Sequence, residues 1–453
     1  MQRYSKDNGV AVPTGRISRL LRFGGIASGI AGSVAAGGLR TLASGQRPDL
    51  GQLMLTPENT VRLTEGLSHL RGAALKLGQM LSMDTCVGLP DELTTILGRM
   101  RDDARHMPPK QLRTVLDAEW GKGWYGRFAR FDVRPFAAAS IGQVHRAETH
   151  DGKELAIKVQ YPGIRASIDS DVDNIGALLR LPGVVPRDMD LAPLLNEAKR
   201  QLHAEADYIS EAGHLARFGS LLEGSNIFAI PSLYEEFCTP QVLAMEYMDS
   251  VPLESLVDAS QSERDRICAA LIDLVLRELF VFGAMQTDPN LANYRYDPEN
   301  GRVVLLDFGA VQTISPERAA DFRNLAWVAL NGRGTDTHEA MLRIGYFDSK
   351  TASHHKVQIQ AMFHAAMEPL RQNGIFDFAA SDLLERLRDM GLAIGNERDL
   401  SHVPPAATLF LHRKIGGMYL MAAKLRTRLA LRPMVEAYCD DTVNAVRDGI
   451  ADA

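Results

Sequence analysis

Three polar residues set the terms for this chain. Asp288 stands five residues before Asn293, and Asn293 stands fourteen before Asp307 of an Asp-Phe-Gly triplet. Between them lie Tyr294–Asp297, a Pro-Glu-Asn-Gly turn and the β-rich run Val303-Val304-Leu305-Leu306. That pattern reads as a tight loop followed by a hairpin, which brings Asn293 and Asp307 together from separate strand ends. Carboxylate and amide oxygens converging at one point suit Mg²⁺, a hard ion that prefers octahedral oxygen ligands. The chemistry such an arrangement serves is phosphoryl transfer, with Asp288 beside the attacking group. A lone Asp-Phe-Gly is common by chance. The full D-x4-N-x13-DFG set with a strand before it is far more specific.

Upstream, short strands are expected at Phe128–Val133, Ile141–Ala147 and Glu154–Val159. Between the first two runs Ala137-Ala138-Ala139-Ser140-Ile141-Gly142-Gln143-Val144. Laid on the G-x-G-x-x-G-x-V loop of protein kinases, Ala137 and Ala139 take the first two glycine places, Gly142 the third and Val144 the valine. Fourteen residues beyond Val144, Ala156-Ile157-Lys158 matches the kinase lysine that contacts ATP phosphates and a helix glutamate. The alanines narrow φ and add methyl groups where backbone would approach phosphate. Nucleotide binding is therefore expected in a phosphate pose unlike that of a protein kinase. One long helix is expected after Pro193, and of its acids Glu211 is the expected partner of Lys158. Further strands are expected around Phe228–Glu236 and Gln241–Met245, then a hinge at Met245–Met248 whose Glu246 and Met248 would face adenine. Two features point away from protein substrates. Thr287 replaces the arginine that clamps a phosphorylated activation loop. Ser315-Pro316-Glu317 follows Gly309 by only six residues, too soon for a peptide-docking segment.

The N-terminal segment, residues 1–47, carries seven Arg or Lys against Asp7 alone, a net +6 that leaves −12 for the remainder of a chain at −6. Such an arm seeks an anionic partner. With no RNA-binding signature or aromatic stacking pattern, a membrane is favoured over nucleic acid. Residues 23–39 are uncharged and Gly-rich, with Gly25 and Gly29 in a GxxxG; a short span, an interfacial helix and a flexible linker all fit. The four cysteines are scattered, without a CxxC pair, so reduced thiols are expected. Thr56-Pro57-Glu58 starts a helix that carries Lys76 and Gln79 one turn apart on a shared face.

KLGQ at 76–79, AAAS at 137–140, EAD at 205–207, QTDPNLAN at 286–293 and LDFGA at 306–310 resemble the UbiB/ABC1 family of atypical kinase-like proteins, also called AarF or ADCK. TDPNLAN and the late HRKIGGMYLMAAKL (412–425) resemble its COQ8 subgroup, and the likeness spans roughly residues 55–440. The resemblance implies an α+β, bilobal protein-kinase-like fold with an N-terminal helical extension. The parts would be a basic arm (1–50), the extension (51–125), an N-lobe (126–250) and a C-lobe (251–453). It also implies that Lys76 and Gln79 reach over the active site to Glu205 and Asp207. ATP and Mg²⁺ are the implied cofactors. Lys158 would contact phosphate and Glu211 orient it, with Ala137–Ser140, Gly142 and Val144 shaping the nucleotide pocket. Asn293 and Asp307 would hold Mg²⁺, and Asp288 would act on water or a hydroxyl. Family members are tied to ATP hydrolysis in coenzyme Q (ubiquinone) synthesis rather than to peptide phosphorylation. Expected partners are membrane lipids or isoprenoid quinone precursors, quinone-biosynthesis enzymes and a second copy of the chain. The expected location is the cytoplasmic face of a bacterial inner membrane or the matrix side of the mitochondrial one. A protein kinase and a non-catalytic nucleotide-binding scaffold are the rival readings.

Overall fold

The computed structural model describes residues 32–34, 36–37, 40–42, 72, 76, 106–180, 191–288, 290–332, 334–395 and 404–439. The helix start at Thr56, Gln79 and most of segment 23–39 lie outside them. The chain divides into two compact units, Met1–Ala216 with Pro231–Tyr247, and Arg217–Ile230 with Met248–Ala453. Among the described residues no helix is long and apolar enough to cross a membrane.

The first unit is built on an antiparallel sheet in the order β1 (Phe128–Phe131), β3 (Gly142–Thr149), β4 (Glu154–Gln160), β6 (Val242–Glu246), with β2 (Ala137–Ala138) hairpinned onto β3. Register sets its faces, because cross-strand partners share a side. Val144, Lys158 and Leu243 are aligned on one, while His145, Ile157 and Ala244 are aligned on the other. The core joins Leu116 of helix α1 (Pro109–Trp120), Trp124, Phe128, Ile157, Val159 and Phe237. Helices α2 (Ile164–Leu179), α3 (Ala192–Glu205) and α4 (Tyr208–Leu221) follow β4.

His145 and Gln143 are fully buried and tie β3 to the chain entering α1. A carbonyl can only accept, so His145 Nδ1–H donates to Asp132 O at 2.8 Å. Its Nε2 therefore accepts from the Gln143 amide at 2.8 Å, and Gln143 Oε1 accepts the Met107 N–H at 2.9 Å. Burial pushes the imidazole down to about 4. The unfolded chain protonates this residue near pH 6.5, so between there and pH 4 it binds more protons than the folded one. Stability should fall by up to about 3 kcal/mol across that window. Urea midpoints at pH 7 and 4.5 test this, and His145→Gln should show the smaller drop.

The second unit is mainly helical. Helix α5 (Gln261–Phe280) is capped by Ser260, whose side chain accepts the Glu263 N–H. It leads into β8 (Ala284–Gln286), which pairs with β11 (Val311–Thr313). A second sheet runs β5 (Phe228–Ala229), β10 (Arg302–Leu305), β9 (Tyr294–Asp297), β7 (Val251–Pro252), with β5 and β10 parallel. Helices α6 (Pro316–Asn331), α7 (Gly334–Ile344), α8 (Ser353–Ala366), α9 (Glu368–Arg371) and α10 (Leu383–Gly395) follow. The chain closes with α11 (Ala406–Lys424) and α12 (Leu431–Cys439), and the short pair β12 (Phe376–Asp377) and β13 (Arg428–Leu429) lies among these helices.

The α+β class expected from the sequence is the one observed. Two local expectations are corrected. The stretch Phe228–Glu236 holds only a two-residue strand, which pairs with β10, and Glu235–Phe237 is a 3-10 turn. The single helix expected after Pro193 is two, broken at Ala206-Asp207. Asp207 causes the break: its carboxylate accepts the Ser210 N–H at 3.2 Å and hydroxyl at 2.9 Å, an N-cap that starts α4.

Candidate active site

In the first unit Lys158 sits mid-strand on β4, where burial leaves its ammonium few partners. Nζ donates to both carboxylate oxygens of Glu211, at 2.8 and 3.0 Å, and lies 5.0 Å from the centroid of the Tyr208 ring. Glu211 is one turn past Tyr208 on α4, so one helical face supplies both groups. The two side chains are 10% and 1% exposed, so this pair, unlike a surface one, holds its geometry against solvent.

Glu205 ends α3, on the other side of the helix break. Its two oxygens bond Lys76 Nζ and the Ser140 hydroxyl, so one carboxylate ties the N-terminal extension to the alanine loop. Lys76 is 1% exposed. Asp207, two residues on, is spent on its cap. Burial pushes its carboxyl up, but the backbone and hydroxyl of Ser210 outweigh this and hold it below the usual range.

The loop itself is a closed hairpin. Ala137 and Ala138 pair with Val144 and Gln143, and Ala139 N–H donates to Gly142 O at 3.0 Å. Gly142 is required by space: a Cβ there would stand 2.4 Å from Val159 O and 3.1 Å from the Tyr208 hydroxyl. Gly72, four residues before Lys76 on helix, was missed by sequence reasoning. A Cβ on it would meet Ile141 Cγ2 at 2.9 Å and Ser140 O at 3.1 Å, so its bare backbone lies against the loop tip. The sequence signal was a small residue one turn before the lysine, on the same face. At the expected hinge, Glu246 holds the Ser232 N–H at 3.1 Å and its hydroxyl at 3.0 Å, and Tyr247 N–H donates to Glu154 O at 2.9 Å. Met248 O accepts the Ser250 hydroxyl at 3.1 Å, and the division between units falls just before Met248.

In the second unit the hairpin β9–β10 ends on the pair Tyr294 and Leu305. Leu306 N–H then donates to Asn293 O at 3.1 Å, one step beyond the ladder, so Asn293 and Asp307 emerge at the same end. Asp307 Oδ1 accepts the Gly309 N–H at 3.0 Å. Phe308 is buried against Phe218, with ring centroids 4.9 Å apart, which anchors the triplet. Asp288 follows β8, and its Oδ1 accepts the Asn290 N–H at 3.3 Å. Thr287, where a kinase has arginine, gives both its N–H and its hydroxyl to Ala310 O, at 2.8 and 2.9 Å. The chain after Gly309 goes straight into β11 and then α6, where Ser315 caps and Pro316 begins the helix. Ser315-Pro316-Glu317 is thus a helix start, and no long activation segment intervenes.

These residues fit Mg²⁺. Asn293 Nδ2 is buried without a hydrogen-bond partner among the described residues, so this amide has hydrogen-bonding capacity unspent at the hairpin end from which Asp307 also emerges. Turned to present oxygen, it would offer a second hard ligand. No cluster of three His, Cys, Asp or Glu among the described residues offers a cage of its own. One amide and one carboxylate leave most of the coordination to phosphate and water, which is how Mg²⁺ binds beside nucleotides.

The ABC1 atypical kinase-like domain matches residues 99–340. The chain is 36% identical over 418 residues to the mitochondrial atypical kinase COQ8 of Saccharomyces cerevisiae, covering 92% of this chain and 83% of that protein. It is 37% identical over 430 residues to the mitochondrial atypical kinase COQ8B of Rattus norvegicus, covering 94% and 80%. Among solved structures, Rv3197 of Mycobacterium tuberculosis, in complex with erythromycin, aligns with a TM-score of 0.57 at 24% identity over 84% of this chain and 95% of that one. The fold is kinase-like, and with a matching domain over more than half its length and COQ8 relatives along nearly all of it, the chain belongs to the ABC1 atypical kinase-like family.

Proposed function

We propose that this protein is a Mg²⁺-dependent ATP-using enzyme, an ATPase or small-molecule kinase, that supports coenzyme Q synthesis at a membrane. The observation that carries this reading is the end of the β9–β10 hairpin, where Asn293 and Asp307 emerge side by side. Mg²⁺ bound there would neutralise charge on the ATP phosphates. Lys158, held by Glu211, would contact the phosphates, and Asp288 would orient or deprotonate the attacking water or hydroxyl. Glu246 and Met248 would border adenine, and the Ala137–Val144 hairpin would set the phosphate pose. Lys76, bonded to Glu205, would gate access to the site.

The short stretch from Gly309 to Pro316 supports a water or small-molecule acceptor over a peptide. The quinone assignment and the membrane location rest on the mitochondrial COQ8 relatives and the basic N-terminal arm, which would bring the protein to anionic lipid and isoprenoid precursors. The test is quinone content in cells whose own COQ8-type protein is deleted. Wild type should restore it and Asp288→Asn should not, although both bind ADP equally. Full restoration by Asp288→Asn would leave a nucleotide-binding scaffold.

A further inference from the structure

Lys414 of α11 and Glu278 of α5 are each 1% exposed and face one another inside the second unit, with Lys414 Nζ 3.2 Å from Glu278 Oε2. Nζ also donates to Gln286 Oε1 at 3.1 Å and to the Tyr294 hydroxyl at 2.9 Å. The hydroxyl in turn donates to Gln286 Oε1 at 3.4 Å, and Glu278 Oε1 accepts the Gln286 N–H at 3.4 Å. Burial pulls the lysine down, yet Glu278 and Tyr294 outweigh it and hold Lys414 above its ordinary value, while burial also pushes the Glu278 carboxyl up.

The two anchors bracket the loop that carries the chemistry. Gln286 is the last residue of β8, two before Asp288, and Tyr294 is the first of β9, next after Asn293. Residues 290–293 are stiffened internally. Asn290 Oδ1 accepts the Ala292 N–H at 3.1 Å, and Asn293 N–H donates to Asn290 O at 3.0 Å. Moving either anchor therefore moves Asn293. A buried ion pair stabilises no better than well-packed apolar side chains of its volume, so packing alone does not account for this one. We propose that Lys414 is a positioning residue: it clamps both ends of residues 287–293 and so sets the place of Asn293 against Asp307 for Mg²⁺. Among metal sites, groups that orient a ligand without touching the metal have effects of roughly 10–100-fold on affinity.

The inference rests on the reading of Asn293 and Asp307 as Mg²⁺ ligands, and its test is read on ADP binding rather than turnover. Calorimetry would give the ADP Kd in Mg²⁺ and in EDTA for wild type, Lys414→Met and the pair Lys414→Met with Glu278→Gln. Wild type should bind ADP more tightly in Mg²⁺. Lys414→Met should keep the EDTA value within about twofold and lose roughly tenfold of the Mg²⁺ gain. The pair carries no buried charge, so it should recover the Tm that Lys414→Met loses, but not the Mg²⁺ gain. An undiminished gain in Lys414→Met, recovery of the gain by the pair, or no gain in wild type would each overturn the proposal. Wild type that gains from Mg²⁺ yet never releases phosphate would instead overturn the ATPase reading alone.

Discussion

Asp307→Asn is expected to cut Mg²⁺-dependent phosphate release from ATP by about 10³-fold while leaving the fold intact. The substitution keeps an oxygen to accept the Gly309 N–H, a bond of 3.0 Å, so the turn should survive. What goes is the negative charge that would hold the metal under the proposed function. A metal ion polarising phosphoryl oxygens is worth several kcal/mol of transition-state stabilisation, and each ~1.4 kcal/mol is tenfold in rate. Thermal melting of the variant beside wild type checks the fold, and phosphate release at saturating ATP checks the chemistry. A variant that melts normally and turns over at the wild-type rate would remove Asp307 from the metal site.

Glu211→Ala should be costly in both stability and activity. It strips from the 10%-exposed Lys158 side chain the carboxylate that holds its ammonium at 2.8 and 3.0 Å. Breaking a buried pair on one side costs about 3–5 kcal/mol, a large share of the ~5–15 kcal/mol that holds a typical domain together. The lysine then loses its aim, and a misplacement near 1 Å is worth about 10²-fold in turnover. Urea unfolding and initial rates measure the two effects separately. Glu211→Gln, which keeps the shape and one acceptor, should lie between Ala and wild type on both scales.

The catalytic hairpin of the second unit was legible in the sequence because it is local. The spacing from Asn293 to Asp307, with a Pro-Glu-Asn-Gly turn midway, specifies a hairpin, and a hairpin register fixes which residues share its end. The antiparallel sheet around Lys158 was legible for the same reason, from short alternating runs. Spacing alone did not separate Glu205, Asp207 and Glu211, which lie within two turns of what reads as one apolar-periodic helix. The break depends on a competition between helix and an aspartate cap, and tertiary contacts decide it. Once Asp207 caps α4, Glu205 lies against Lys76 and Ser140, while Glu211 lies against Lys158. Gly72 left only a local hint, a small residue one turn before Lys76, because the atoms that demand a glycine there belong to Ser140 and Ile141, some seventy residues away. The Lys414–Glu278 pair was hidden too. Each residue alone reads as an ordinary charged position on a helix, and only their packing around Gln286 and Tyr294 gives them a common task.

The most direct test of the central claim is phosphate release from ATP by the purified full-length protein, with Mg²⁺ or EDTA, and with or without anionic liposomes. The account predicts release that requires Mg²⁺ and rises when liposomes are present. Tight nucleotide binding with no release under any of the four conditions would contradict hydrolysis and leave a nucleotide-binding scaffold or a kinase lacking its acceptor.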